Sequence, residues 1–397
     1  MILSDCPTPY ETVPILGVEA DNPIPEAYRG RILVDTVHDG DVVPSEFRER
    51  PDGSPLVDSQ ELEARYVEER DWGASLVATE IAKSLGLLSV GRMRLARVLL
   101  DFNRFPGSTP PGITDSLERL AINPPFSEAL DHPQKMRLLG LYDQVSALME
   151  REFHEKLIRI CVHTYDMHNP SRTTRPDVSL ITQSATYNRE SVMPYGIFDP
   201  LYPDVLGEST CSRVLRDRIA LNLERSGFRV GHNHPYLLPD GSTDVRSQVW
   251  YFFSYLRQRF LEAFPECADD AAYGRVWSLL LNTNLRRIEG EELRSYLHRY
   301  RKPHPRREPE LRAAQLAYDQ VGRFLRESGV VDDYRRHPER PSSLTIEVRK
   351  DLVNDLDAWG RPTRKHVGIA RALGKTIAGA IATYFKTDRP LATEPKS

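Results

Sequence analysis

The sequence predicts an α/β fold, a mixed and mainly parallel sheet flanked by helices, and three observations carry that expectation. Short apolar runs of strand length recur along the chain, and most do not alternate strictly, which suits strands covered on both faces. Helical patterns lie between them, the order of elements that a parallel sheet requires. Nearly every run ends in polar residues, as expected where a ligand binds beyond the carboxyl ends of parallel strands.

The expected strands are RILVDTVHDG (31–40), RLARVLLDF (94–102), KLIRICVHTY (156–165), DVSLITQ (177–183), FRVGHNHPY (228–236) and SLTIEVRKDL (343–352). The first intervening helix, DWGASLVATEIAKSLG (71–86), ends at a glycine suited to a left-handed cap. The second is LLGLYDQVSALMEREFHEKL (138–157), with apolar residues at helical spacing. The third, STCSRVLRDRIALNLERSG (209–227), opens on Ser/Thr cap candidates and ends at Gly227. Residues 247–338 break the rhythm, with three or four helices and no clear strand, and read as a helical insertion before the last strand. TRKHVGIARALGKTIAGAIATYF (363–385) reads as a final amphipathic helix. The expected organisation is therefore an α/β unit from 1–246 plus 339–390, the insertion 247–338, and a disordered tail 391–397.

Bulk properties narrow the class. A chain of 397 residues with 40% hydrophobic composition can bury a large core. Its 53 basic and 57 acidic residues nearly balance, which announces no nucleic-acid surface. No apolar window reaches the ~18 residues of a membrane span, and the N-terminal stretch lacks a signal-peptide pattern. The four cysteines are far apart and form no CxxC pair, which fits a reducing, cytoplasmic setting.

The strand ends carry the chemistry. The first ends in His38-Asp39-Gly40-Asp41, the second in Asp101-Phe102-Asn103-Arg104, and the third in His163. The fifth carries His232, Asn233 and His234, and the last carries Glu347 and Arg349. Two histidines from different strands with carboxylates nearby suit a catalytic zinc, which takes three protein ligands and keeps a position for water. His38 and His163 are the imidazole candidates. Asp41, Glu69 and Asp71 are the candidate third ligands, and local reasoning does not separate them. Glu347, a carboxylate within an apolar strand, is the candidate general base. Arg97, Asn103 and Arg104 would hold a substrate carboxylate through a forked guanidinium and an amide donor. Asp101 would orient Arg104 or Asn103.

Taken in order, HDG (38–40), ERDWGA (69–74), RVLLDFNR (97–104), CVHTYD (161–166), RPDVSL (175–180), GFRVGHNHPY (227–236) and LTIEVRKDLV (344–353) resemble the N-formylglutamate amidohydrolase family, relatives of zinc carboxypeptidases and aspartoacylases. The resemblance covers roughly 30–240 and 342–353. It implies a phosphorylase/hydrolase-like fold, one zinc, and hydrolysis of the amide of an N-acyl amino acid such as N-formylglutamate. It assigns His38 and His163 to the metal, favours Asp71 as third ligand over its rival Asp41, gives Glu347 the base role, and matches Asn103 and Arg104 to a substrate-carboxylate clamp. His234 and Arg246, in and after the Asn-x-Pro-Tyr stretch, join the substrate-binding candidates. Two departures stand out. Cys161 occupies a position where the family usually has an acid, which leaves the orientation of His163 to Asp166. The insertion is atypical of short members, and could shape the pocket or form a homo-oligomer. A carboxypeptidase-like or biosynthetic deacylase of a larger carboxylate substrate, and a non-catalytic binding protein, are the alternative readings.

Overall fold

A computed structural model describes residues 6, 8–16, 20–50, 52–115, 118–185 and 198–388. The expected tail, 391–397, lies outside them. The elements run β1 (Tyr10–Pro14), α1 (Glu26–Arg29), β2 (Ile32–Thr36), α2 (Ser45–Arg48), α3 (Ser59–Glu69), α4 (Ala74–Leu85), β3 (Ser89–Met93), α5 (Phe126–Ala129), α6 (His132–His154), β4 (Ile158–Tyr165) and β5 (Val178–Ile181). They continue with α7 (Arg213–Arg225), β6 (Val230–His232), α8 (Thr243–Ala263), α9 (Ala271–Leu280), α10 (Ile288–Leu297), α11 (Glu308–Glu327), α12 (Val330–Arg336), β7 (Ser342–Arg349), α13 (Lys350–Val353), β8 (Asn354–Leu356), β9 (Pro362–Lys365) and α14 (Val367–Thr387).

Seven strands form one sheet in the order β1-β3-β2-β4-β7-β5-β6. Strands β3, β2, β4 and β7 are mutually parallel, while β1 joins β3 and β5 joins β7 antiparallel. The fold is thus mixed α/β with a mainly parallel sheet and flanking helices.

The two faces of the sheet differ in chemistry, because successive side chains on a strand point to opposite sides. Ile158, Ile160 and Val162 of β4, Leu344, Ile346 and Val348 of β7, and Val178 and Leu180 of β5 share an aliphatic cluster with α4, α7 and α14. The intervening residues, Arg159, Cys161, His163, Ser343, Thr345 and Glu347, stand on the other face and are buried too. The alternation in IRICVH and SLTIEVR therefore marks a strand buried on both sides, one side of which is polar. Full burial, not non-alternation, is the feature these strands share.

Two elements differ from expectation. RLARVLLDF is not a strand: β3 is Ser89–Met93, and residues 97–99 and 102–104 turn. Leu95, Val98, Leu99, Leu100 and Phe102 are buried in a second cluster with Phe47, Phe126, Tyr142 and Phe153, so this apolar run is a loop packed into the core. An apolar run of this length reads as a strand because periodicity alone cannot exclude a buried turn. The start of the expected final helix is instead β9, which pairs with β8, and α14 begins at Val367.

The 247–338 segment is helical throughout its regular elements, with five helices starting at Thr243. Ser242 caps α8 by accepting from the Val245 N–H. Gly329, at φ 73°, breaks the long apolar face between α11 and α12, which explains the extra helix. These helices own a separate apolar cluster rich in aromatic residues, including Phe252, Phe253, Phe260 and Trp277.

Candidate active site

Four segments converge beyond the carboxyl ends of β2, β3, β4 and β7. The loop after β2 brings His38, and Gly40 sets its path: a Cβ there would lie 2.1 Å from the Leu95 carbonyl oxygen. Only glycine allows the two loops to touch so closely. The turn between α3 and α4 brings Asp71. Arg70 beside it is tied to Asp39, and Asp39 also accepts from the Ser75 N–H. Strands β4 and β7 set His163 and Glu347 side by side in register.

His38, Asp71 and His163, all buried, each offer a ligand atom within 4.8 Å of the others. Nδ1 of His163 lies 2.8 Å and Nδ1 of His38 lies 3.6 Å from Asp71 Oδ2. The far nitrogens are held elsewhere: His38 Nε2 lies 2.9 Å from Asp101 Oδ1, and His163 Nε2 lies 3.1 Å from the Cys161 sulfur. Two imidazole nitrogens and a carboxylate facing one point, with their outer nitrogens partnered, form a donor set that fits a divalent cation such as zinc. Burial disfavours the Asp71 anion, but hydrogen bonds and charge from His163 and His38 outweigh it and hold Asp71 well below the usual carboxylate range. Asp41 faces Arg92 and Arg94 instead, and Glu69 lines the cavity outside the three-residue cluster.

The cluster opens into a cavity of about 310 Å³ lined also by Arg97, Asn103, Arg104, Arg175, Tyr236, Glu347 and Lys350. A larger cavity, of about 600 Å³ beside Ser342, contains none of these groups. Glu347 Oε1 accepts from the Tyr236 hydroxyl, while Oε2 is buried without a hydrogen-bond partner. Burial raises the Glu347 pKa against the opposing pull of His163.

Arg104 is the least satisfied charge near the site. Its Nε and Nη1 are buried without hydrogen-bond partners, and its nearest carboxylate, Asp101, lies 3.8 Å away. Burial lowers its pKa, more than Asp101 raises it. Arg97 is better partnered, at 3.1 Å from Asp101 and 4.0 Å from Asp71.

Four expectations need correction. Asp101 does not chiefly orient Arg104 or the Asn103 amide: it grips His38 and Arg97 and accepts from the Asn103 N–H. Asp166 does not orient His163. It pairs with Lys350, and Cys161 itself touches His163. Arg246 lies behind the cavity wall, donating to the Phe102 carbonyl and sitting over the Tyr142 ring. His234 is exposed in the turn after β6 and does not line the cavity; Tyr236, two residues on, lines it and reaches Glu347 with its hydroxyl. Tyr236, Lys350 and Arg175 were missed as site residues. All three had a signal in the quoted stretches, Tyr236 in Asn-x-Pro-Tyr, Arg175 at the head of RPDVSL and Lys350 within LTIEVRKDLV, but nothing in those stretches says that the side chains reach the cavity.

A buried His-Asp-His cluster, a buried carboxylate and a guanidinium short of acceptors, gathered beyond the carboxyl ends of parallel strands, are the makings of a hydrolase of the α/β class. The sequence profile of N-formylglutamate amidohydrolase matches residues 30–248, more than half of the chain. The chain belongs to the N-formylglutamate amidohydrolase family. A solved structure of the N-formylglutamate amidohydrolase from Ralstonia eutropha is 14% identical, with a TM-score of 0.47 over 95% of this chain and 98% of that one. A gene product from Agrobacterium tumefaciens is 14% identical, with a TM-score of 0.42 over 90% and 92%. No curated protein matches the sequence. Among the described residues, no helix is long and apolar enough to cross a membrane.

Proposed function

We propose that the chain is a zinc-dependent amidohydrolase that cleaves the amide of an N-acyl amino acid, with N-formylglutamate as the first substrate to test. The observation that carries this reading is Arg104: a buried guanidinium, short of hydrogen-bond acceptors, beside the His38-Asp71-His163 cluster. A charge left so is costly unless a ligand supplies the acceptors. A substrate carboxylate does so in a forked geometry.

In this reading His38 Nδ1, His163 Nδ1 and one Asp71 oxygen hold the ion. A bound zinc ion supplies a Lewis acid for the scissile carbonyl and lowers the pKa of water. Glu347 takes a proton from the attacking water at Oε2 and returns it to the departing amine, so one water and one amide give a carboxylic acid and a free amine. The raised pKa of Glu347 suits it to both transfers, and Tyr236 holds its other oxygen. Arg104, assisted by Arg97 and Asn103, fixes the substrate carboxylate so that the amide stands over the cluster. Asp101 and Cys161 hold the imidazoles in position.

The test is formate release from N-formylglutamate by zinc-loaded protein, alongside N-acetyl and peptide substrates. Glu347→Ala should lose turnover by at least ~100-fold while retaining zinc. Full activity in that variant would rule out the base assignment. Cleavage of a larger acyl amino acid with N-formylglutamate untouched would move the substrate.

A further inference from the structure

We infer that Thr243, the first residue of α8, is a positioning residue for substrate binding: it fixes the Asn103 side-chain amide with its NH₂ end toward the cavity. The inference rests on the clamp role given to Asn103 above. A buried chain of hydrogen bonds from Arg159 through Thr243 to Asn103 carries it.

Arg159, on β4, donates to the Thr243 hydroxyl at 2.9 Å. A guanidinium has only donors, so the hydroxyl accepts there and its single proton is free to go elsewhere. The group it meets is Asn103 Oδ1, 3.1 Å away. The Thr243 backbone N–H points at the same atom from 3.3 Å. That N–H is one of the four at a helix start that lack an intrahelical acceptor. Two donors converging on one amide atom make it the oxygen, so Nδ2 is the other end. Among the described residues no protein group accepts from Nδ2, and Asn103 lines the active-site cavity. The amide therefore offers two N–H donors beside Arg104, which is what a carboxylate needs and what an ammonium or an amide donor would reject.

The far end of the chain is anchored in the sheet. Arg159 Nε and Nη2 both donate to Asp35 Oδ2, at 3.1 and 2.9 Å, and Nη1 lies 3.3 Å from Asp244. Its guanidinium sits over the Phe153 ring. Gly241 completes the arrangement, since a Cβ there would lie 2.4 Å from the Phe105 nitrogen and push the 103–105 loop off the start of α8. The helical segment is thus tied to the substrate clamp through its first turn.

The experiment compares wild type, Thr243→Val, Thr243→Ser, Asn103→Ala and the Thr243→Val/Asn103→Ala double variant, zinc-loaded, on whichever member of the N-formyl and N-acetyl amino-acid panel wild type cleaves. Valine keeps the shape and leaves Arg159 its two carboxylates, and thermal unfolding of each variant checks that the fold survives the loss of the hydroxyl that accepts from Nη1. KM should rise about tenfold in Thr243→Val, the worth of one misdirected hydrogen bond, with kcat within about twofold. Thr243→Ser should recover wild-type KM. The double variant should be no worse than Asn103→Ala alone, because both changes act through one amide. Unchanged KM in Thr243→Val, or additive losses in the double variant, would overturn the inference while leaving the hydrolase reading intact. A wild-type chain that cleaves nothing in the panel would overturn the reading beneath it, and this inference with it.

Discussion

Replacing Arg104 by methionine should weaken substrate binding without weakening the fold. Two buried guanidinium nitrogens lack hydrogen-bond partners, and such groups cost about 1–3 kcal/mol each. Against this stands the attraction of Asp101 at 3.8 Å, about 4 kcal/mol at the effective dielectric of such sites. The two nearly cancel, and the like charges of Arg97 and Arg119 stand with burial against Asp101. Methionine fills similar space and removes the charge, so the ligand-free protein should keep its Tm or gain about 1 °C, the shift that ~1 kcal/mol gives in a chain this long. A substrate carboxylate loses a charged hydrogen bond worth about 1.5–3 kcal/mol, so kcat/KM should fall roughly 10- to 150-fold. Thermal unfolding and formate-release kinetics on the same preparation read both quantities. A Tm lowered by more than about 5 °C with kinetics unchanged would make Arg104 a structural partner of Asp101 and refute the reasoning.

The remaining predictions concern the groups around the cluster. Asp101→Asn should lower zinc affinity about 10- to 100-fold, measured by chelator competition, because His38 Nε2 loses its charged partner. Cys161→Asp should raise that affinity, since a carboxylate accepts from His163 Nε2 better than a thiol whose pKa burial pushes up to about 11. Tyr236→Phe should move the acid limb of the kcat/KM profile to higher pH. The Tyr236 hydroxyl donates to Glu347 and favours its anion, so losing that bond raises a pKa already lifted by burial, and more alkaline solution is needed to ionise the base.

Much of the fold was legible because burial and period agree locally. KLIRICVHTY and SLTIEVRKDL are the two central strands, and their polar ends reach the site. The helix over 71–86 ends where its glycine says it should, with Gly86 at φ 73°. The site was legible where residues project from strand ends, as His38, His163 and Glu347 do. It was not legible where position depends on a folded loop. Residues 94–102 carry enough leucine and valine for a strand, yet their apolar side chains fill a core cluster from turns, and the same turns swing Asp101 toward His38. Lys350 arrives on the four-residue helix after β7 and Arg175 on the loop before β5, where the turn of the chain and not a periodic pattern decides which side chain faces the cavity. The bond from Thr243 to Asn103 spans 140 residues, which no local pattern can report.

The central claim is that His38, Asp71 and His163 hold one catalytic zinc. An anomalous difference map of zinc-loaded crystals, recorded across the zinc edge, tests it directly. A single peak is expected at about 2.0–2.2 Å from His38 Nδ1, His163 Nδ1 and an Asp71 oxygen. A peak on Asp41 or Glu69 in place of Asp71, or no peak among these side chains in zinc-saturated protein, would contradict it.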